Sequence, residues 1–225
     1  MNHVRRRPIA QAAEPEPPEP RRRLPREERE RQIVAAAVRF FAEVGFEGQT
    51  RALAERLGVT QPLLYRYFPD KEKLIERVYE EVYLSRFKPE WETLIRDRGR
   101  PLVERLTAFY SDYARTIFTY EWVRIFMFAG LKDVNINARY LELVRSRILT
   151  PICQELRATA ELPADTAPDP AEVEAAWGLH GGVFYLGIRQ FIYHLPVPED
   201  LDAVIARQVR TFIEGAPAVL RAESK

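Results

Sequence analysis

The chain has 225 residues, 46% of them apolar, enough for a sizeable core in one large domain or in a small domain joined to a larger one. Its formal charge of +1 hides an asymmetry: residues 1–75 hold 15 Lys+Arg against 11 Asp+Glu, a modestly basic end of the right sign for a nucleic acid. The longest uncharged apolar stretch has 14 residues and four glycines, too short to cross a bilayer, and the N-terminal arginines lead into no secretory-type apolar run, so no membrane partner and a cytoplasmic location are expected.

In chain order, residues 1–25 are rich in Arg and Pro and nearly devoid of large apolar side chains, so a disordered tail is expected there. Its Arg5–Arg7 and Arg21–Arg23 triplets have two readings, a DNA-reaching arm or a solubilising segment. From Arg26 the spacing of Ile33, Ala37, Phe40, Phe41 and Val44 predicts one apolar helical face, ended by Gly45. Thr50 is the expected cap of a short helix with Leu53, Ala54 and Leu57 turned inward, and Gly58 the following turn. Thr60 is expected to cap a third short helix over Gln61–Tyr67, with Pro62 in the first turn where its missing N–H does no harm. Asp70 is expected to cap a fourth helix carrying Leu74, Ile75, Val78 and Val82, running to about residue 87 and broken by Pro89. Further helices are read at about 90–97, 101–119, 121–132, 137–160, 171–194 and 199–214, with no strand-like alternation, so the fold class is all-α.

Two short helices joined through Gly58, with the small Ala54 at their crossing, describe a helix-turn-helix. The segment Glu43–Leu74, EVGFEGQTRALAERLGVTQPLLYRYFPDKEKL, resembles the DNA-binding motif of the TetR family. The resemblance lies in Gly45-Phe46, Leu53-Ala54, Leu57-Gly58-Val59, Leu64-Tyr65, Tyr67-Phe68, Lys71 and Leu74, and covers roughly Arg26 to Tyr83. Two departures are visible. The stretch from Gly45 to Ala54 is one residue shorter than the usual family pattern, and Leu63 stands where the family often has a small or polar residue.

The resemblance implies an N-terminal helix-turn-helix domain at 26–87 and a larger helical domain at 88–225 for an effector and for dimerisation. It implies a regulator of transcription, commonly a repressor, that binds double-stranded operator DNA as a homodimer and answers a small-molecule effector. The third helix would enter the major groove, so Thr60, Gln61, Pro62, Leu63 and Arg66 become candidates for base contacts. Leu64 and Phe68 would face the core. Tyr65, Tyr67 and Lys71 match positions that grip the phosphate backbone, with core packing the other reading of the tyrosines. Arg51 is either a phosphate or base contact or a solvated helix arginine. Leu63 either meets a thymine methyl or packs half-buried.

In the larger domain, Trp177, Gly181, Phe184 and Ile188 on one helix and Leu201, Ile205 and Phe212 on the last form apolar faces that could pair across a dimer as a four-helix bundle; burial within the subunit is the alternative. The aromatic-rich middle, with Phe109, Tyr113, Trp122 and Phe126, is either plain core or, as the resemblance implies, the wall of an effector pocket suited to an apolar or aromatic molecule. His180 reads as a core or interface histidine or as a polar group of that pocket. His180-Gly181-Gly182 is superficially similar to an esterase oxyanion loop, but no serine lies in a Gly-x-Ser-x-Gly elbow and no strands flank it, so no enzyme is expected. Cys153 alone cannot form a disulfide or a cysteine cluster, three histidines are too few for a histidine-rich metal site, and no metal or cofactor is expected.

Overall fold

A computed structural model describes residues 25–132 and 136–223, without the side chains of 136 and 216–223. The expected Arg/Pro-rich tail falls almost wholly outside the described residues. The described residues form eleven α-helices: α1 (Arg26–Val44), α2 (Thr50–Arg56), α3 (Gln61–Tyr65), α4 (Lys71–Val82), α5 (Glu90–Arg96), α6 (Leu102–Ile117), α7 (Tyr120–Leu131), α8 (Ile136–Val144), α9 (Thr150–Thr159), α10 (Pro170–Phe191) and α11 (Leu201–Glu223). The fold is all-helical, as the periodicity predicts.

One apolar cluster runs from Ile33 and Phe41 in α1 through α4, α6 and α7 to Val209 in α11. Helix α1 packs on α4 and on α7, and α6 packs on α11, so the first helix is tied to the middle of the chain as well as to its sequence neighbours. Ile33, Ala37, Phe40 and Phe41 are buried as expected, but Val44 is 43% exposed because the helix ends there and the chain turns away. Gly45 makes that turn at φ 73°, and the Phe128 ring lies 3.1 Å from where a Cβ would stand, so conformation and close approach both call for glycine. Gly58 adopts φ 64° between α2 and α3, its role in the sequence reading.

Local caps explain the short helices. The Thr60 hydroxyl accepts from the Leu63 N–H at 3.4 Å and Asp70 accepts from the Lys73 N–H at 2.7 Å. Thr50, in contrast, is no cap: Gln49 holds the N-cap position, while Thr50 is the first helical residue and turns its hydroxyl toward α3. The fourth helix stops at Val82, and a single 3-10 turn over Leu84–Arg86 separates it from Pro89, which stands at the N-cap position of α5. The helix expected at 137–160 is interrupted by a π-helical turn over Arg145–Leu149, next to Pro151, whose nitrogen has no hydrogen to give the preceding turn. Helix α10 begins with a capping box in which Asp169 and Glu172 each accept the other's backbone N–H, at 3.0 and 2.8 Å. It ends at Phe191, short of the expected residue 194, whereas α11 runs past the expected end near 214.

Candidate nucleic-acid interface and buried aromatic cluster

Helices α2 and α3 are too short to be stable alone, so contacts between them hold their geometry. Leu53, Ala54, Leu64 and Phe68 are buried beneath the pair. Above them the Gln61 amide donates to Thr50 Oγ1 at 3.0 Å, and Thr50 Oγ1 lies 2.9 Å from Tyr65 Oη. This three-residue network closes the angle between α2 and α3, and Thr50, which the sequence reading treats only as a cap, is its hub. A threonine in the first turn of a helix carries no signal of such a role; only the approach of α3 reveals it.

Of the residues expected on the outward face, Arg51, Thr60, Pro62, Tyr65 and Arg66 are exposed, Tyr65 by 39%. Gln61, Leu63, Tyr67 and Lys71 are half-buried, with Tyr67 packed against the core. Arg51 pairs with Glu55 one turn on, at 3.2 Å between largely exposed side chains. Such a pair holds an arginine weakly, roughly 0.5 kcal/mol or less, so its guanidinium can be drawn off by a stronger anion. Lys71 opens α4 at the positive end of its helix dipole. Lys132 and, more weakly, Lys71 hold the exposed Glu47 carboxyl below its ordinary range.

A second feature ties this unit to the rest of the chain. Arg124 of α7 donates from Nε to the Ala42 carbonyl at 2.6 Å and from a terminal nitrogen to the Glu43 carbonyl at 3.3 Å, satisfying acceptors that the end of α1 leaves unpaired. The Tyr120 and Phe128 rings flank its guanidinium, each centroid 5.1 Å away. The spacing of Tyr120, Arg124 and Phe128, one helical turn apart each, is a readable signal for that stack, which the sequence reading passed over. On its other side α7 carries Trp122, stacked on Phe126 at 5.2 Å and edge-on to Phe184 at 5.8 Å. Helix α7 therefore touches the end of α1 with one face and the buried aromatic cluster with the other.

Phe109, Tyr113, Trp122 and His180 are all buried in that cluster, and Phe126 is half-buried at its edge. Tyr83 and Tyr140, absent from the expected set, complete it: Tyr113 Oη lies 3.1 Å from Tyr140 Oη and 3.3 Å from His180 Nε2, and the Tyr83 ring meets Trp122 at 5.0 Å. Burial lowers the His180 pKa to about 4, keeping the imidazole neutral, and pushes the hydroxyls of Tyr110 and Tyr113 well above the ordinary tyrosine range. Cys153 is buried too, its thiol pushed up to about 12 by burial and by the neighbouring Glu172.

The residues expected at a dimer face divide. Ile205 is fully buried within the subunit and cannot meet a partner, because α11 turns that side toward α6. Phe184 is half-buried against Trp122 and Phe126. Gly181 is exposed, and Trp177, Ile188, Leu201 and Phe212 are half-exposed. Between α10 and α11 a surface groove of about 460 Å3 is lined mainly by apolar atoms of residues including Gly178, Gly182, Val204 and Phe212. Among the described residues no helix is long and apolar enough to cross a membrane, and no cluster of His, Cys, Asp and Glu is placed to hold a metal ion.

A family model for bacterial regulatory proteins of the tetR family matches residues 33–78, the stretch from α1 into α4. The chain is 35% identical over 91 residues to the tetracycline repressor protein class A from transposon 1721 of Escherichia coli, an alignment that covers 37% of this chain. The chain spans only 42% of the length of that repressor. Among solved structures, a TetR-like transcriptional regulator from Rhodococcus sp. RHA1 superposes with a TM-score of 0.65 at 19% identity, over 86% of this chain and 100% of its own. A tetR-family transcriptional regulator from Streptomyces coelicolor gives a TM-score of 0.60 at 17% identity, over 89% and 86% of the two chains. At such identities these two likenesses bear on the fold alone.

Proposed function

We propose that the chain is a member of the TetR family of bacterial regulatory proteins, a dimeric, DNA-binding repressor released from a pseudo-palindromic operator by a small apolar or aromatic molecule. Residues 26–87 serve as the DNA-binding domain and 88–225 as the effector and dimerisation domain. The observation that carries the reading is the exposed face of α3, with Thr60, Pro62 and Arg66 turned outward beside Lys71 at the head of α4.

In this reading α3 enters the major groove. Thr60, Pro62, Leu63 and Arg66 face base edges, while Tyr65, Tyr67, Lys71 and Arg51 hold phosphates on either side. Gln61 gives one amide N–H to Thr50, which leaves its second N–H and its carbonyl oxygen for a base edge. If the hydrogen bonds run from Gln61 to Thr50 to Tyr65, the Tyr65 O–H stays available to a phosphate oxygen. Reading one half-site is too weak for specificity, so a second copy is required. The groove between α10 and α11, with the open positions at Gly178 and Gly181 and the 49% exposed Tyr185, supports that end of the molecule as the dimer face.

The effector enters among Phe109, Tyr113, Trp122, Phe126 and His180 and acts by preferring the conformation that does not fit the operator. Helix α7 is the lever, because it carries Trp122 and Phe126 in the cluster and reaches the end of α1 through Arg124. Coupling of about 1 to 3 kcal/mol, or roughly 5- to 150-fold in DNA affinity, is typical of such devices.

The test is selection of bound duplexes from random DNA, followed by titration of the selected duplex at several salt concentrations. A pseudo-palindrome bound by a dimer is expected, with Lys71→Ala weakening all duplexes alike and reducing the salt slope by about 1. No enrichment of any duplex, or only monomer in sedimentation at micromolar concentration, would refute the proposal.

A further inference from the structure

We propose that the molecule admitted by the aromatic cluster is an uncharged, flat, ring-bearing compound that offers at least one hydrogen-bond acceptor, a carbonyl or hydroxyl oxygen. The inference rests on the effector reading above and narrows it to a chemical class.

Three polar atoms of the cluster are buried without a partner: Tyr110 Oη, Trp122 Nε1 and His180 Nδ1. They belong to one continuous set of rings. Tyr110 and Tyr113 lie 6.0 and 5.1 Å from His180 by ring centroids, Tyr113 reaches Tyr140 through the 3.1 Å hydroxyl contact, and Tyr140 lies 5.3 Å from Trp122. A buried N–H or O–H with no partner is uncommon in a folded protein, and three in one cluster mark a place that a polar guest completes. The indole N–H can only donate, so the guest must bring an acceptor. The stacked faces of Trp122 and Phe126, inclined by 14°, favour a flat guest ring beside them.

The charge state follows from what surrounds the cluster. Charged side chains on the helices around the cluster are engaged with one another: Lys88 with Asp112, Arg139 with Glu76, Arg105 with Glu155 and Arg157 with Glu172, while Arg86, whose charge reaches the Tyr83 hydroxyl, donates to Thr119 Oγ1. Inside it His180 stays neutral through burial alone, and the Tyr110 and Tyr113 hydroxyls keep their protons. At the three unpaired atoms, on a phenol, an indole and a neutral imidazole, a carboxylate or ammonium guest would lose its water and meet only uncharged groups, a cost that an uncharged guest of the same shape escapes.

Three probes that share one ring system separate the possibilities: naphthol, naphthoate and naphthylmethylammonium, each added to the full-length protein at the same concentration. Naphthol is expected to raise the unfolding temperature and quench tryptophan fluorescence, and the two ions to do neither. Tyr110→Phe removes only the unpaired hydroxyl, and Trp122→Phe only the indole; each is expected to weaken naphthol roughly 5- to 10-fold, the scale of one lost hydrogen bond. For Tyr110→Phe the unfolding temperature of the free protein should not fall, which separates a guest contact from a packing role. Binding of either ion as tightly as naphthol would overturn the uncharged class while leaving the pocket in place. Binding of none of the three would overturn the pocket reading itself. Naphthol affinity undiminished in both variants would put the guest elsewhere and likewise overturn the inference.

Discussion

In the helix-turn-helix unit the ion pairs are wet: Arg51 with Glu55 is one turn apart at the surface, and Arg56 reaches Glu43 of α1 between half-exposed side chains. The larger part has exposed pairs too, such as Arg115 with Asp202, but among the described residues it also holds buried ones. Glu155 of α9 accepts from the buried Arg105 of α6 and from Arg98 near the α5–α6 turn, and Glu172 of α10 binds Arg157 of α9 at 2.6 Å. The same groups thus serve different ends. Exposed arginines kept in weak pairs can be transferred to an incoming polyanion, whereas buried ones each hold an acid of another helix and fix how the helices pack.

The largest test of that contrast compares Glu155→Ala with Glu55→Ala. Removing Glu155 strands the buried Arg105 guanidinium and is expected to cost about 3 to 5 kcal/mol in urea unfolding, whereas losing Glu55 costs roughly 0.5 kcal/mol or less. Equal effects would erase the distinction. Acid should expose the same pair. Burial pushes the Glu155 carboxyl up, but the hydrogen bonds and charges of Arg98 and Arg105 outweigh it and hold the pKa below 4.5. The pair therefore stabilises above about pH 4.5, and that contribution falls away as pH drops through the lowered value.

His180 acts in a higher window. Its folded pKa of about 4 lies below the ordinary 6.5, so between those values the unfolded chain binds a proton that the native state refuses. Stability should decline as pH falls from 6.5, by about 3 kcal/mol once pH 4 is reached. His180→Gln should lose that slope while retaining the steeper loss below pH 4.5 that belongs to the carboxylates. A variant with the wild-type slope above pH 5 would show that the imidazole is not buried in its neutral form.

Arg124 belongs to both regions, so its removal tests whether they communicate. Arg124→Ala is expected to lose about 2 kcal/mol of stability, since charged hydrogen bonds to two carbonyls at the end of α1 disappear. DNA affinity should fall with the salt slope unchanged, because no phosphate contact is removed. A reduced slope would place Arg124 on the DNA instead. A smaller effect than that of Arg124 is expected for Thr50→Val, which keeps the shape and deletes the hub between Gln61 and Tyr65. About 1 kcal/mol of stability should be lost, with DNA affinity falling more than stability because the angle of α3 loosens. Thr50→Ser should restore most of both. Failure of serine to rescue would assign the effect to packing of the threonine methyl.

The helix-turn-helix end was legible from the chain because its determinants are local. Gly45 and Gly58 mark positive φ, and Thr60 and Asp70 accept the N–H three residues ahead, so spacing alone places α3 and the head of α4. Helix content elsewhere was equally readable, since a 3.6-residue apolar rhythm survives any arrangement of the helices it builds. What the rhythm does not carry is which face meets which neighbour. Ile205 and Phe184 share the periodicity of a dimer face, yet α6 covers the first and Trp122 and Phe126 cover part of the second. Thr50 reads as a cap until α3 approaches and claims its hydroxyl. Arg124 meets carbonyls about 80 residues earlier, and Glu155 meets arginines 50 and 57 residues away. Such contacts form only when the whole core closes, so the chain dictates the helices and their caps, and tertiary packing decides the partners, the polar atoms left unpaired and the path between the two regions.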